Sequence, residues 1–85
     1  MNITVAHTAA SALDTLSSNL ADRVIQKLER LKNEDPETML EQSPEGYYLL
    51  REDDYVVVID WDPEDDTVRV LDVTQRENVR DAMMP

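Results

Sequence analysis

The sequence predicts an α+β fold in which a short N-terminal strand and a helical hairpin precede a three-stranded antiparallel meander. Apolar residues recur at helical spacing in the first part of the chain, and three runs rich in β-branched and aromatic residues follow. The short linkers between those runs favour antiparallel neighbours. Because a chain of 85 residues can bury only one core, we expect a single domain over residues 1–85.

The N-terminal residues predict a brief strand followed by a helix. Ile3 and Val5 alternate with short polar residues, which is typical of a strand. Thr8 is then placed to cap a first helix from about Ala9. The apolar positions of this helix have i, i+3, i+4, i+7 spacing and predict one inward face; they are Ala9, Ala12, Leu13 and Leu16.

A second helix has the strongest periodicity in the chain. Asn19, followed three residues later by Asp22, resembles a capping arrangement at its start. We expect Ile25 to widen the apolar stripe of this helix and the segment from Asn33 to Pro36 to end it, because proline cannot continue a helical ladder. The stripe consists of Leu20, Val24, Leu28 and Leu31.

The second half of the chain predicts a loop and then the meander. The loop extends to Gly46, and we expect Met39 and Leu40 within it to pack against the core. For the tail from Gln75 to Pro85 we expect a short helical turn that frays at residues 81–85. The predicted strands are Tyr47 to Arg51, Tyr55 to Trp61 and Thr67 to Val73.

The charge of the chain is strongly negative. Its 19 Asp and Glu against 8 Lys and Arg give a formal net charge of −11, which disfavours phosphate backbones. Only Lys27 and Lys32 are lysines, and such a composition favours an adaptation to concentrated salt, which screens self-repulsion. The alternatives are a disordered acidic tail or a nucleic-acid mimic, but the acids are spread through periodic segments.

The sequence contains no signal for export, for a membrane span or for a cofactor. It has no cysteine, which suits a reducing cytosol, and no run of about 20 apolar residues, so we expect a cytoplasmic protein. With one glycine it has no phosphate-cradling loop, and we expect no cofactor. An EF-hand loop counted from Asp60 would place Asp65 where glycine belongs and Leu71 where glutamate belongs, so we interpret this acidic segment as a solvated turn without metal.

The order of elements resembles the RelE/ParE superfamily of toxin–antitoxin modules. The match begins with the alanine-started first helix, Ala9 to Leu16, and with the leucine repeat before a proline, Ile25 to Pro36. Tyr48 to Val58 is similar to the family's strand, arginine, short turn, tyrosine and strand. Thr67 to Val79 is similar to its final strand and trailing arginine motif. Together these segments cover nearly the whole chain.

The resemblance implies a toxin that is held by a protein antitoxin and cleaves messenger RNA on the ribosome. Arg51 and Arg76 match family arginines and, with Arg80 at the usual terminal tyrosine position, form the predicted catalytic set. Other positions depart from the ribonuclease pattern. Val56 stands where an arginine follows the turn tyrosine, and Tyr47 and Leu49 stand where lysines are expected.

For each candidate catalytic residue, the sequence also allows a role that is not catalytic. Metal-free RNA cleavage requires a base, an acid and cations, and Arg51, Arg76 and Arg80 could supply charge only. The alternative for Arg51 and Arg76 is surface ion pairing. The only histidine, His7, lies at the strand-to-helix junction, where we expect it to be partly exposed.

A basic helical face and several aromatic residues are further candidates. Arg23, Lys27 and Arg30 share one face of the second helix and predict a contact for an acidic partner helix. Their alternative is salt bridging, as between Arg30 and Glu34. We interpret the aromatics as core or sheet-face residues, with base stacking by Tyr47 or Tyr48 as the alternative; they are Tyr47, Tyr55 and Trp61.

Three functions therefore remain after the sequence alone. The first is a toxin component with messenger-RNA endoribonuclease activity. The second is a non-catalytic interaction domain on the same scaffold, which the apolar residues at the family's basic positions favour. The third is a ParE-like inhibitor of a topoisomerase, which needs no ribonuclease residues.

Overall fold

The structure is a computed structural model that describes residues 1–75. The tail beyond Gln75, with the expected helical turn and the candidate residues Arg76 and Arg80, lies outside the described residues. The predicted fold class is confirmed: a short strand and two consecutive helices precede an antiparallel meander.

The chain begins with β1 (Asn2–Val5) and enters α1 (His7–Thr15) after one residue. The expectation that Thr8 caps this helix was wrong. The helix begins two residues earlier, with Ala6 at its N-cap, and the carbonyl of Ala6 already accepts a bond from the Ala10 amide at 3.0 Å. The predicted inward face is confirmed by the packing of Ala9, Ala12, Leu13 and Leu16 against the core.

The helix α2 (Ser18–Arg30) begins earlier than the sequence suggested. Ser17 is its N-cap, and the hydroxyl oxygen of Ser17 accepts a bond from the Leu20 amide at 3.3 Å, so the predicted Asn19 cap was wrong. The stripe is confirmed for three of its four residues, since Val24, Leu28 and Leu31 are buried, whereas Leu20 is half-buried and does not belong to the main core. Ile25 does not widen it and is 43% exposed, because the 100° step from Val24 moves it off the docked face.

The segment predicted as a loop contains two short elements. Asp35 accepts a bond from the Glu37 amide and caps α3 (Pro36–Met39), with Pro36 at its first position. The helix α2 ends at Arg30, before the segment from Asn33 to Pro36 that was expected to end it, because the amides that immediately follow bond to carbonyls three residues back instead of four. The strand β2 (Glu41–Gln42) follows after Leu40, the C-cap of α3. The expected packing of Met39 and Leu40 against the core is confirmed.

The predicted meander is confirmed with small changes of its bounds. It consists of β3 (Tyr48–Glu52), β4 (Tyr55–Asp62) and β5 (Thr67–Gln75), paired antiparallel in chain order. Two additions complete a five-stranded sheet of order β1-β5-β4-β3-β2. The strand β1 pairs parallel with β5, and β2 pairs antiparallel with β3.

The sheet buries side chains on both of its faces. Alternation along β3 places Leu50 in the main core with the stripe of α2, and Leu49 in a separate cluster. We call the side of Leu49 the second face of the sheet. This two-sided burial explains the continuous apolar run from Val56 to Ile59. The pairing of β4 with β5 shifts its register between Val58 and Ile59. The second-face cluster consists of Leu49, Val56 and Val58, with Leu71 packed against it.

The predicted aromatic packing is confirmed for two of three residues. Tyr55 and Trp61 pack against the main core. Tyr47 precedes β3 and is 37% exposed, because the preceding turn at Gly46, whose φ is +91°, leaves it outside the paired strands. Within residues 1–75, no helix combines the length and the apolar character that crossing a membrane requires.

Candidate functional site

Arg51 is the one member of the predicted catalytic set that lies in the described part of the chain. It stands on β3 opposite Val56, and alternation places it on the second face with Leu49. Its Nε and Nη2 atoms donate to one carboxylate oxygen of Glu41 at 3.1 and 3.0 Å. The surface ion pairing that the sequence left open is therefore observed. An exposed pair of this kind contributes about 0–1 kcal/mol, so Arg51 can exchange this partner at little cost.

The surroundings of Arg51 on the second face are aliphatic. Leu49 is 2% exposed and Val56 is 0% exposed, and both belong to the second-face cluster. These are the positions at which the resembling family has cations. The two side chains contribute packing instead of charge, so Arg51 has no basic neighbour at either position.

Arg23 and Lys27 connect α2 to the turn between β3 and β4. Lys27 Nζ lies 3.0 Å from Glu52 Oε2 and also donates to the carbonyl oxygen of Arg51. The two guanidinium nitrogens of Arg23 lie 3.7 Å from Glu52 and 3.6 Å from Asp53. Glu52 thus receives two cations from one helix. This arrangement holds α2 against the end of β3.

Arg30 makes the intrahelical pair that the sequence suggested. Its Nε donates to Glu34 Oε2 at 2.9 Å, and its side chain is 59% exposed. One turn from Lys27, it stands at the rim of a groove of about 280 Å³ beside the edge of β3, which we call the edge groove. The lining of the edge groove comprises Lys27, Arg30, Met39, Glu41, Leu49, Leu50 and Arg51.

The edge groove unites residues that the sequence assigned to two separate sites. Lys27 and Arg30 were predicted to bind a partner, and Arg51 was predicted to act in catalysis. Arg23 does not line the groove, because it pairs with the β3–β4 turn. Nothing in the sequence indicated that Glu41, ten positions before Arg51 in the predicted loop, belongs to this site. Only the pairing of β2 with β3 brings the two together, and a two-residue strand has no readable periodicity.

His7 is far from Arg51 in the topology of the sheet. It is exposed, as expected, and opens α1 directly after β1. The strand β1 forms one edge of the sheet, whereas β3 lies next to the opposite edge strand, β2. The histidine therefore does not stand beside the arginine as an acid or base.

A second groove, of about 270 Å³, lies around Tyr48 and Trp61. The rings of these two residues meet edge to face, with centroids 5.4 Å apart and planes at 74°. The Trp61 Nε1 atom is buried and has no partner within the described residues. The other lining residues are Glu37, Leu40 and Gln42. Tyr48 therefore packs within the protein, which disfavours its use for base stacking.

The acidic segment between β4 and β5 is a hairpin turn, as interpreted from the sequence. Asp62 Oδ1 accepts bonds from the amides of Glu64 at 3.0 Å and Asp65 at 3.4 Å. Asp66 adopts a φ of +51° and pairs with the N-terminal amine of Met1 at 3.1 Å. Across residues 1–75, no three His, Asp or Glu side chains come together as a metal site. The carboxylates here stabilise the turn.

The comparisons with known proteins identify the fold. No protein-family model and no curated protein matches the sequence significantly. Among solved structures, an archaeal RelE–RelB complex from Pyrococcus horikoshii OT3 matches with a TM-score of 0.72 and 18% identity, over 88% of this chain and 93% of that chain. The toxin–antitoxin complex RelBE2 from Mycobacterium tuberculosis matches with a TM-score of 0.72 and 21% identity, over 88% and 96%. The chain thus has the RelE-like fold that the resemblance implied.

Proposed function

We propose that this chain is the toxin component of a toxin–antitoxin pair. The observation that carries the proposal is the RelE-like fold, which extends over 88% of the chain in both structural matches. Both matched structures are named as complexes, which supports a protein antitoxin as the partner of this chain too. The proposed place of action is the cytoplasm, with the ribosome and its messenger RNA as target.

The proposed reaction is cleavage of messenger RNA, with arginines stabilising the charge that develops on the phosphate. Such a reaction needs cations at the transition state, and each well-placed donor accelerates it about 10²–10³-fold. Arg51 is available because its bond to Glu41 is weak and exposed. Arg76 and Arg80 complete the proposed set on the strength of the sequence alone.

A non-catalytic interaction domain is the second candidate. The observation that favours it is the burial of Leu49 and Val56 beside Arg51. Two positions at which phosphate contacts are expected are occupied by packed aliphatic side chains. A protein that acts only by binding would keep the scaffold and have no need of cations there.

Expression in growing cells tests the toxin proposal. We expect inducible expression of the full chain to arrest growth, and co-expression of the product of an adjacent reading frame to relieve the arrest. We expect Arg76→Ala to lose the arrest and to lower message cleavage about 100-fold, because it removes a charge from the transition state. Arg69→Ala is the matched control, since Arg69 is an exposed arginine on β5 outside the proposed set.

Each other outcome points to a different function. Arrest that survives Arg76→Ala would argue against RNA cleavage, and a change of plasmid supercoiling in the same cells would then indicate topoisomerase inhibition. Growth that continues during expression of soluble, folded wild-type chain, in a host of suitable internal salt, would favour the interaction domain.

We propose in addition that the acidity of the chain is an adaptation to concentrated salt. Salt screens the mutual repulsion of a chain whose net charge is −11. Salt also weakens ion pairs, but exposed pairs such as those of Arg30 and Arg51 contribute little to stability. We therefore expect salt to stabilise the folded chain more by reducing repulsion than it destabilises the chain by weakening ion pairs.

Thermal unfolding followed by circular dichroism tests this adaptation. We expect the melting temperature to rise from low salt to about 1 M potassium chloride, at which the Debye length is about 3 Å. Chloride is preferred to sulfate, because sulfate strengthens apolar burial in any protein. A melting temperature that does not change with chloride would remove the salt adaptation.

A further inference from the structure

We propose that the edge groove binds an acidic amphipathic segment of the antitoxin, with an apolar side chain on its floor and carboxylates at its rim. This inference rests on the proposed toxin function and gives the partner a binding site of defined chemistry. We call the apolar lining residues Met39, Leu49 and Leu50 the floor of the groove and the cationic lining residues Lys27, Arg30 and Arg51 its rim.

The charge of the groove indicates an acidic occupant. The whole chain has 8 Lys and Arg against 19 Asp and Glu, yet the lining of this one groove has three of those cations and one carboxylate, that of Glu41. Among residues 1–75, the ion-pair partners of Arg30 and Arg51 are the exposed residues Glu34 and Glu41. Because exposed pairs of this kind are weak, partner carboxylates can replace them. An acidic segment would meet repulsion over most of the remaining surface, so the groove also selects its position.

The size and the floor of the groove indicate side chains of a protein. A volume of about 280 Å³ is just below the range of about 300–1,000 Å³ that is usual for small-molecule sites. The floor is aliphatic and thioether, which suits a leucine-like side chain and offers no flat aromatic surface for a nucleobase. An amphipathic segment satisfies the floor and the rim together.

The backbone at the groove favours a partner that inserts its side chains over a partner that pairs with β3 as an added strand. Within the described part of the chain, the strand β2 pairs with Leu49 and Tyr48, so β3 continues beyond it along the groove. The carbonyl oxygen of Arg51 on this stretch already accepts a bond from Lys27 Nζ. A strand added here would have to displace that lysine, which also pairs with Glu52. A helical segment leaves this bond intact.

A peptide titration tests the site. The probe is a synthetic amphipathic helix with leucines at i, i+4 and i+7 and glutamates on its flanks, added to the full chain and followed by fluorescence anisotropy. We expect binding that Arg30→Glu weakens about tenfold or more, since it reverses a charge at the rim. Lys32→Glu is the matched control, because it makes the same change of charge at an exposed residue that does not line the groove.

A floor variant and two further probes complete the test. We expect Met39→Glu to weaken binding about as strongly, because it places a like charge where a leucine should sit. Equal weakening by Arg30→Glu and Lys32→Glu would show that only net charge matters and would overturn the site. Absence of peptide binding, equal binding of a peptide with lysines in place of the glutamates, or binding of single-stranded RNA in preference to the peptide would overturn it too.

Failure of this inference is distinguishable from failure of the toxin proposal. Growth arrest by the chain alone does not depend on the peptide. Arrest without peptide binding would overturn the edge groove and leave the toxin function standing. Peptide binding that follows the predicted variant pattern, without arrest, would support the groove and count against the toxin.

Discussion

Replacing Val56 with arginine is expected to destabilise the chain strongly, even though the family that the sequence resembles has an arginine at this position. Val56 is 0% exposed, and the residue opposite it on β3 is Arg51, whose charge has the same sign. An uncompensated buried charge costs about 3–5 kcal/mol. Since the total stability of a small domain is about 5–15 kcal/mol, the variant would lose much or all of it.

Val5→Arg is the matched control for this experiment. Val5 is also a strand valine, but it lies at the end of the edge strand β1 and is 46% exposed. We expect its replacement to change the free energy of unfolding by no more than about 0.5 kcal/mol. Urea unfolding of the three proteins measures both effects. A Val56→Arg variant as stable as the wild type would show that the second face accepts a charge and that packing does not explain the valine.

The result also bears on the choice between the two candidate functions. If arginine is not tolerated at Val56, the aliphatic residues beside Arg51 form a packed unit, and one substitution cannot restore a basic site. Phosphate contacts would then have to come from Arg51 and the trailing arginines. A tolerated arginine that also increases RNA cleavage would instead show that the scaffold still supports the reaction.

The elements with a strong apolar pattern could be predicted from the sequence, because burial itself produces the pattern. The stripe of α2 and the three runs of the meander are of this kind. The helix starts were predicted less accurately. Thr8 and Asn19 have capping chemistry, but the cap positions are occupied by Ala6 and Ser17, each two residues earlier. Local chemistry permits several adjacent starts, and the packing of the helix selects one.

The candidate site depended on contacts that the sequence does not reveal. The cations of α2 were visible as one helical face, and Arg51 was visible through the resemblance. Their meeting at one groove depends on β2, whose two residues are ordered by pairing with β3 and by no pattern of their own. Likewise, Glu52 and Lys27 are distant in the sequence, and they meet because α2 docks on the sheet.

Truncation of Leu28 to alanine is expected to cost about 2–5 kcal/mol of stability, because it leaves a cavity between α2 and the sheet. Leu28 is 5% exposed and belongs to the main core. Ile25→Ala is the control on the same helix, since Ile25 is 43% exposed and alanine has the higher helix propensity. We expect that change to stay within about 0.5 kcal/mol.

Urea unfolding with an unchanged m-value would measure this difference as a shift of the midpoint alone. Equal losses at the two positions would mean that α2 does not dock through its stripe. The comparison extends to binding, because α2 holds Lys27 and Arg30 beside Arg51. A helix loosened from the sheet separates these cations, so Leu28→Ala should weaken binding of the acidic peptide, whereas Ile25→Ala should preserve it.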